Sequence, residues 1–209
     1  IKMKAGIINY EMGNINSVIN SLKFLGINSK VINSYKDFND SSHLILPGVG
    51  SFKMAMENLK KFKLIDEIKE SVLIKKKKIL GICLGMQLLG HSSTEDGFST
   101  GLSFISNKVE KFNQKELANL RVPHVGYNQI IVDNENCTLL KSLDNQSNFY
   151  FVHSYKMEIG NFKNNYAVCN YGTNFLAAFQ NDNICGVQFH PEKSQSNGIQ
   201  VLYNFFKYQ

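Results

Sequence analysis

Short apolar segments alternate with helical patterns through the first half of the chain, and this alternation restricts the fold more than any other feature. Apolar residues recur at helical spacing from Ile15 to Leu25, where Gly26 is a suitable stop, and the segment 51–74 predicts one or two further helices. Four strands are predicted around them, with the sequences AGIINY, KVIN, HLILPG and KKILGIC. Continuous apolar strands joined by helices are typical of a parallel sheet covered on both faces, so the chain is predicted to form a doubly wound α/β fold.

The second half has a different pattern, because short strands follow one another in quick succession. Turn residues separate the segments VEKF, NQIIV, NFYFVHSY, YAVCNY, LAAFQ and ICGVQF. Some of these should form antiparallel additions or a small flanking sheet, and a final helix is predicted over 196–207. No linker, repeat or low-complexity tract divides the sequence, so we expect one domain over residues 1–209.

Composition and charge exclude several classes of function. The net charge is +6, but the excess is almost all lysine and Arg121 is the only arginine, so nucleic-acid binding is not expected. No apolar run is long enough for a transmembrane helix or a secretory leader, so we expect a cytoplasmic protein without a membrane partner. The 4 cysteines lie far apart without a C-x-x-C pair. Neither a metal site nor a disulfide framework is therefore expected, and no cofactor is predicted.

Cys83 lies between two glycines in the segment ILGICLGMQL, after a predicted strand and before a helical pattern. A strand that ends in G-x-C-x-G can form a nucleophile elbow, which exposes the side chain at the carboxyl edge of the sheet. The positive end of the following helix would favour the thiolate. The same pentapeptide fits a buried structural cysteine about equally well, so a nucleophile requires a base elsewhere in the chain.

Among the 5 histidines, His190 is the best placed to be that base. It follows the apolar residues at the start of the segment VQFHPE, and Glu192 is the last residue of that segment. In an extended chain, residues two apart point the same way, so Glu192 can orient the imidazole ring. His153, within NFYFVHSY, can border a site without being the base. The remaining histidines are interpreted as structural: His43, His91 and His124.

The segment LPGVGSF places a glycine-rich turn after a predicted strand. Its free backbone N–H groups can stabilise the oxyanion that forms when a thiolate attacks a carbonyl. A phosphate cradle is the competing interpretation, but the segment lacks the Walker lysine and the G-x-G-x-x-G pattern. An oxyanion site is therefore favoured.

Three motifs together, LPGVGSF, GICLGMQLL and GVQFHPEKSQ, resemble in order and separation those of the class I glutamine amidotransferases. The segments NYEMGN, RVPHVGYNQ and FYFVHSY are similar to those of one branch, the glutaminase subunits of imidazole glycerol phosphate synthase. The resemblance covers nearly the whole chain. It implies a flavodoxin-like α/β fold with a central, mostly parallel sheet, flanking helices and a small antiparallel addition in the second half.

The resemblance also implies a function and a set of site residues. Cys83 is expected to attack the side-chain amide of glutamine, His190 to relay protons and Glu192 to orient His190. The backbones of Gly50 and Leu84 are expected around the oxyanion. Six residues are implied to contact glutamine: Gly48, Gln87, Glu95, His153, Ser154 and Tyr155.

In this family the released ammonia travels through a channel into a (β/α)₈-barrel partner, the synthase or cyclase subunit that makes imidazole glycerol phosphate and AICAR in histidine biosynthesis. The sequence departs from the family pattern at Glu11, where glycine is usual, and at Tyr127, where tryptophan is usual. These departures also suit close relatives that supply ammonia to a sugar N-acetyl amidotransferase in bacterial surface-polysaccharide biosynthesis, which is the alternative prediction. Six positions are implied to face the partner: Tyr10, Met12, Asn14, Tyr127, Asn128 and Lys193.

Two other classes of function stay open at this point. A different cysteine enzyme on a similar α/β scaffold would not need the His190–Pro191–Glu192 segment, and a non-catalytic binding protein would not need any of the three triad residues. For a glutaminase of this family we expect weak activity in isolation, because hydrolysis is coupled to ligand binding in the partner. Movement of the PGVG segment is a reasonable switch for that coupling.

Overall fold

A computed structural model of the chain describes residues 4–117, 119–132, 137–144, 146–160, 162 and 165–208. Within these residues the strands are β1 (Lys4–Ile8), β2 (Asn28–Ile32), β3 (His43–Gly48), β4 (Lys78–Cys83), β5 (Ser92–Ser93), β6 (Ser99–Thr100), β7 (Lys108–Lys111), β8 (His124–Gln129), β9 (Ile131–Val132), β10 (Asn148–His153), β11 (Tyr155–Met157), β12 (Tyr166–Tyr171), β13 (Thr173–Asn181) and β14 (Ile184–Val187). The α-helices are α1 (Ile15–Phe24), α2 (Phe52–Lys61), α3 (Ile65–Lys69), α4 (Leu84–Leu88) and α5 (Gln195–Lys207).

The main sheet has the strand order β2-β1-β3-β4-β14-β13-β12-β9. The first five strands in this order, β2, β1, β3, β4 and β14, are parallel to one another. The sheet then continues through three antiparallel pairs to β9. This arrangement confirms the predicted α/β fold with a parallel central sheet and antiparallel strands from the second half.

Helices cover both faces of this sheet, because its strands are apolar on both sides. Helices α1 and α5 pack on one face, where Val18 and Val201 join a core that includes Leu80. Helices α2 and α3 pack on the other, where Phe52 joins a core that includes Ile79. Neighbouring strand residues therefore point into different cores, as the alternation of a β-strand requires.

The segment 51–74 forms two helices rather than one, and a π-helical turn, Glu70–Ile74, follows α3 directly. The amide of Asn183 donates to the carbonyl oxygens of Val72 and Lys77, both at 2.8 Å, and so ties the end of this turn to the loop before β14. The final helix begins one residue earlier than predicted, at Gln195.

Two smaller sheets lie beside the main one. Strands β8 and β10 form an antiparallel pair, and a four-stranded sheet has the order β11-β7-β5-β6. The predicted flanking sheet is thus present, although β5 and β7 are parallel. The sequence pattern does not predict β5 and β6, because two residues are too few to show an alternation. No helix in the described ranges is both long and apolar enough to cross a membrane.

The carboxyl ends of β3 and β4 lie against helix α4 at a distance that only glycine permits. Gly48 pairs with Cys83 in the register of the sheet. A Cβ atom on Gly81 would lie 2.6 Å from the backbone nitrogen of Met86, and one on Gly85 would overlap the carbonyl oxygen of Leu46. The glycines around Cys83 are therefore needed for close packing between the strands and the helix that follows.

We predict that Gly81→Ala lowers the free energy of unfolding by about 1–3 kcal/mol, because the added methyl group collides with backbone atoms that cannot rotate away. Urea unfolding monitored by circular dichroism measures the change. The control is Lys69→Ala on the exposed side of α3, which should stay within about 0.5 kcal/mol of the parent chain. Equal stability of the parent chain and Gly81→Ala would contradict this account of the glycines.

Candidate active site

Cys83 is the last residue of β4 and directly precedes α4, which confirms the predicted turn from strand to helix. Its backbone has φ +53° and ψ −110°. A positive φ is unfavourable for a residue with a side chain and is concentrated at sites where the surrounding structure enforces it. Close packing of α4 against β3 and β4 provides that enforcement here. The side chain is 5% exposed.

His190 and Glu192 form a buried pair whose side chains are each 2% exposed. The Nδ1 atom of His190 lies 2.8 Å from Oε1 of Glu192, as predicted for a base and its orienting carboxylate. Two hydrogen bonds hold this segment: Ser194 Oγ donates to the His190 carbonyl oxygen at 2.6 Å, and Tyr150 N donates to that Oγ at 2.9 Å. Among the described residues, Nε2 of His190 has no hydrogen-bond partner.

Burial lowers the pKa of His190, but interactions with Cys83 and Glu192 outweigh it and raise this pKa from 6.5 to about 10. The ring of His190 therefore holds a proton strongly once it has received one. A proton that leaves Cys83 has an acceptor close by, and the resulting charge pair is stabilised by the carboxylate behind the ring.

A cavity of about 210 Å³ opens beside Cys83. Most of the residues predicted to contact glutamine or its oxyanion line this cavity together: Gly50, Leu84, Gln87, Glu95, His153, Ser154 and Tyr155. Gly48 does not line it and instead lies under the turn, paired with Cys83. Residues from four separate parts of the chain thus meet at one small cavity that contains the cysteine.

The glycine-rich turn after β3 forms one wall of the cavity. The N–H group of Val49 donates to the carbonyl oxygen of Met12 at 2.7 Å. This bond occupies one of the donors that the sequence suggested for an oxyanion site. Leu84 is the first residue of α4, so its N–H group has no carbonyl acceptor within the helix.

Two charged or amide side chains can recognise the α-amino end of a bound amino acid. Oε2 of Glu95 accepts a hydrogen bond from the backbone nitrogen of Phe52 at 2.8 Å. Burial raises the pKa of this carboxyl, the bond from Phe52 lowers it and Asp96 raises it further, with a net rise. The amide nitrogen of Gln87 donates to the Tyr155 carbonyl oxygen at 2.9 Å and to Oε1 of Gln188 at 3.0 Å, which leaves its oxygen for a ligand.

Gln188 is fully buried, and its amide nitrogen lies 3.6 Å from the sulfur of Cys83. The sequence-based predictions do not include this residue. One signal in the sequence points to it: Gln188 precedes His190 by two positions in an extended segment, so both side chains point the same way.

His153 and His124 form a buried pair at the ends of β10 and β8. The His153 Nδ1 atom lies 2.8 Å from the Tyr155 carbonyl oxygen, and its Nε2 lies 3.0 Å from Nδ1 of His124. Burial lowers the pKa of His124 and that of His153, the latter to about 3. Both ring nitrogens of His124 lie within hydrogen-bond distance of protein atoms, which fits its interpretation as a structural histidine, and His153 lines the cavity.

The positions implied to face a partner divide into two groups. Asn14, Tyr127 and Lys193 are exposed, and the Tyr127 hydroxyl donates to the Lys193 carbonyl oxygen at 2.6 Å. Tyr10 is 1% exposed and Met12 is 9% exposed. Direct contact of their side chains with a docked partner is at odds with this burial.

Tyr10 has a different role in the structure. Its hydroxyl donates to the carbonyl oxygen of Pro47 at 2.7 Å, directly before the glycine-rich turn. Burial, and then the proximity of Cys83, raise the pKa of Tyr10 far above 10, so this hydroxyl stays a neutral donor. Asn128, the sixth implied position, is half-buried, and its amide lies 3.2 Å from Nε2 of His124.

No group of three or more histidine, cysteine, aspartate or glutamate side chains within the described ranges is arranged to hold a metal ion. The cysteines are all free, and burial raises the pKa of Cys169 and of Cys185 to about 12.

Comparison with known proteins agrees with this geometry. Residues 6–208 match the model of the family "Glutamine amidotransferase class-I". The chain is 43% identical over 203 residues to imidazole glycerol phosphate synthase subunit HisH 1 of Campylobacter jejuni strain RM1221, covering 96% of this chain and 98% of the relative. It is also 43% identical over 199 residues to subunit HisH 2 of Pseudomonas aeruginosa PAO1, covering 95% and 96% of the two chains.

Solved structures share the fold at low sequence identity. A chain in the structure of PurLQS from Thermotoga maritima superposes with a TM-score of 0.78 at 17% identity, covering 100% of this chain and 99% of that one. A crystal structure of a glutamine amidotransferase superposes with a TM-score of 0.72 at 17% identity, covering 96% of each chain. With the family match over 6–208 and relatives at 43% identity, the chain belongs to the class I glutamine amidotransferase family.

Proposed function

We propose that this protein hydrolyses the side-chain amide of L-glutamine to glutamate and ammonia, with Cys83 as the nucleophile. The observation that carries the proposal is the buried Cys83–His190–Glu192 arrangement beside a cavity of about 210 Å³. Membership of the amidotransferase family supports it, as does the match over 6–208, which also supports a single domain.

The reaction follows from the positions of these groups. Cys83 passes its proton to Nε2 of His190, and the sulfur attacks the amide carbon to form a tetrahedral oxyanion. His190 then returns the proton to the departing nitrogen, which leaves as ammonia. The acyl group stays on Cys83 as a thioester. Water, deprotonated by His190, attacks the thioester carbon, and glutamate departs as the sulfur takes back a proton. Glu192 holds the ring in the orientation that both transfers require.

The oxyanion is stabilised by backbone N–H groups at the N-terminus of α4 and in the turn after β3. Leu84 supplies a donor without rearrangement, since its N–H group begins the helix. In the glycine-rich turn, the Val49 donor is engaged by Met12, whereas Gly50 lines the cavity with φ +106°. A rotation of this turn that releases Val49 would add a donor and raise the rate.

Glutamine recognition is assigned to polar residues that line the cavity. Glu95 carries a carboxylate that attracts the α-ammonium group, and the free oxygen of Gln87 accepts a hydrogen bond from it. Ser154, Tyr155 and His153 line the remaining wall. Because His153 is neutral, it adds no positive charge that would compete with Glu95 for the ammonium group.

The ammonia is proposed to serve imidazole glycerol phosphate synthesis in histidine biosynthesis, delivered to a (β/α)₈ cyclase subunit in a heterodimer. The names of relatives at 43% identity support this pathway over the sugar-modifying alternative. A surface for the partner is available on β8 and β9, where Val125, Tyr127 and Ile131 are 55%, 48% and 54% exposed. Exposed apolar side chains grouped in this way are typical of protein–protein contacts. A cytoplasmic location follows from the proposed pathway.

Labelling with a diazo-ketone analogue of glutamine tests the nucleophile. We predict one covalent adduct, on Cys83, because this thiol alone adjoins the proposed base and the glutamine cavity. Peptide mass spectrometry identifies the site, and Cys83→Ala should remove the label. Labelling of Cys137, Cys169 or Cys185 instead, or no labelling even with the cyclase subunit present, would overturn the proposal.

Replacement of Glu192 by glutamine tests the orienting carboxylate. The charge that helps to raise the His190 pKa is lost, so this pKa should fall from about 10 and kcat should fall about 10²-fold. Carbon-13 NMR of labelled histidine follows the titration, and coupled glutamate detection follows kcat. Glu70→Gln, an exposed change, is the control.

The same variant has a predicted pH signature in stability. A His190 pKa raised above 6.5 contributes stability that is fully present below about pH 6.5 and is lost as the pH rises through about 10. The stability deficit of Glu192→Gln should therefore be largest near pH 6 and smaller near pH 10. A deficit that is constant over this range would contradict the ionic role of Glu192.

Reconstitution with the candidate partners tests the pathway. We expect weak glutamine hydrolysis by the isolated chain and at least a tenfold rise with the (β/α)₈ cyclase subunit and its ligand, because the Val49–Met12 bond holds the turn in the isolated state. Glutamate release is measured with and without each partner. A sugar amidotransferase subunit that activates the chain where the cyclase does not would reverse the pathway assignment.

A further inference from the structure

Gln188 is a buried polar side chain beside the proposed nucleophile, and the mechanism above makes no use of it. It follows β14 directly and is 0% exposed. Its backbone N–H donates to the Ala177 carbonyl oxygen at 2.8 Å, which fixes the main chain at this position. Its amide nitrogen lies 3.6 Å from Cys83 Sγ, a hydrogen-bond distance for sulfur.

The direction of this contact follows from one backbone atom. The Tyr155 carbonyl oxygen can only accept, so the Gln87 amide must turn its NH₂ group toward it, at 2.9 Å. The second hydrogen of that NH₂ group points to Gln188, 3.0 Å away, and therefore requires the oxygen end of the Gln188 amide there. The NH₂ group of Gln188 is left facing the sulfur.

We propose that Gln188 is a further catalytic residue, which donates a hydrogen bond to the thiolate of Cys83 and is oriented for this by Gln87. The inference deepens the proposed glutaminase function and rests on it. When the Cys83 proton moves to His190, the electron pair stays on sulfur and the Gln188 N–H group faces the new negative charge. The same donor stabilises the thiolate again when it leaves the thioester.

The surroundings of the sulfur give this donor its importance. Another polar atom near the sulfur is the Val152 carbonyl oxygen at 3.8 Å, which accepts from the thiol but repels a thiolate. The Gln188 N–H group and the imidazolium of His190 offset that repulsion. A hydrogen bond to a charged group in a buried site contributes more than one between neutral groups, because little water competes for it.

Alkylation of the isolated chain tests the proposal without glutamine or a partner. Iodoacetamide modification of Cys83 is followed by peptide mass spectrometry from pH 5 to 10.5 in the parent chain and in Gln188→Met, which keeps the length of the side chain but removes the donor. We expect the pH midpoint of alkylation to rise by about one unit, and the rate at pH 7 to fall up to about tenfold. The two rates should converge within about twofold at the alkaline end of this range.

The pH dependence separates a chemical role from a structural one. If Gln188 only filled space, its loss would change access to Cys83 by the same factor at every pH, and that result would overturn the proposal. An unmoved midpoint would overturn it as well. Gln180→Met is the matched control, because it removes a hydrogen-bonded amide that contacts Thr138 and Leu139 rather than Cys83.

A second variant covers the case in which Gln188→Met does not fold. Gln188→Asn keeps a buried amide but withdraws it by one methylene group, so it should show the same rise in midpoint. Diazo-ketone labelling reports the glutaminase proposal separately. If diazo-ketone labelling fails but the midpoint shifts, the role of Gln188 as a donor stands and the glutaminase proposal is overturned. If Cys83 is labelled but the midpoint does not move, the glutaminase proposal stands and the role of Gln188 is overturned.

Discussion

The left-handed backbone of Cys83 is the constraint on which the rest of the site depends. It exists because α4 lies so close to the ends of β3 and β4 that a side chain on Gly81 or Gly85 would meet backbone atoms. The same packing points the sulfur toward the edge of the sheet where β14 also ends, with Gln188 and His190 directly after it. Strain at one residue thus places the cysteine beside groups that are distant in sequence.

Burial then determines what those groups can do. The His190–Glu192 pair is shielded from water, so each opposite charge has a large effect on the imidazole, whose pKa rises to about 10 although desolvation alone would lower it. The histidine pair beside the cavity shows the contrary case: within the described residues His153 has a carbonyl oxygen and another histidine as hydrogen-bonding neighbours, and burial lowers its pKa to about 3. The pKa values of two buried histidines near one cavity are therefore shifted in opposite directions because their partners differ.

Much of this arrangement could be predicted from local sequence patterns. The alternation of strands and helices predicts the parallel sheet. The glycine-flanked Cys83, and His190 with Glu192 two residues later, indicate the proposed triad, because each of these patterns spans only a few residues. The contacts that Gln188 and Tyr10 make in the folded chain could not be predicted in this way. Gln188 and Cys83 are separated by 105 residues, and Tyr10 and the Pro47 carbonyl by 37, so their contacts exist only through the order of strands in the sheet. Burial of Tyr10 and Met12 followed from the same long-range packing.

The carbonyl oxygen of Tyr155 accepts a hydrogen bond from Gln87 and lies within hydrogen-bond distance of the His153 ring. It therefore fixes which end of the Gln87 amide and which nitrogen of the His153 ring face it. This reference point belongs to the main chain, and substitution of the tyrosine side chain leaves it in place. Hydrogen positions around the sulfur are therefore insulated from changes of residue type at position 155. A substitution at position 155 can therefore change how the cavity fits its ligand, while the backbone keeps the polarity of the network that reaches Cys83.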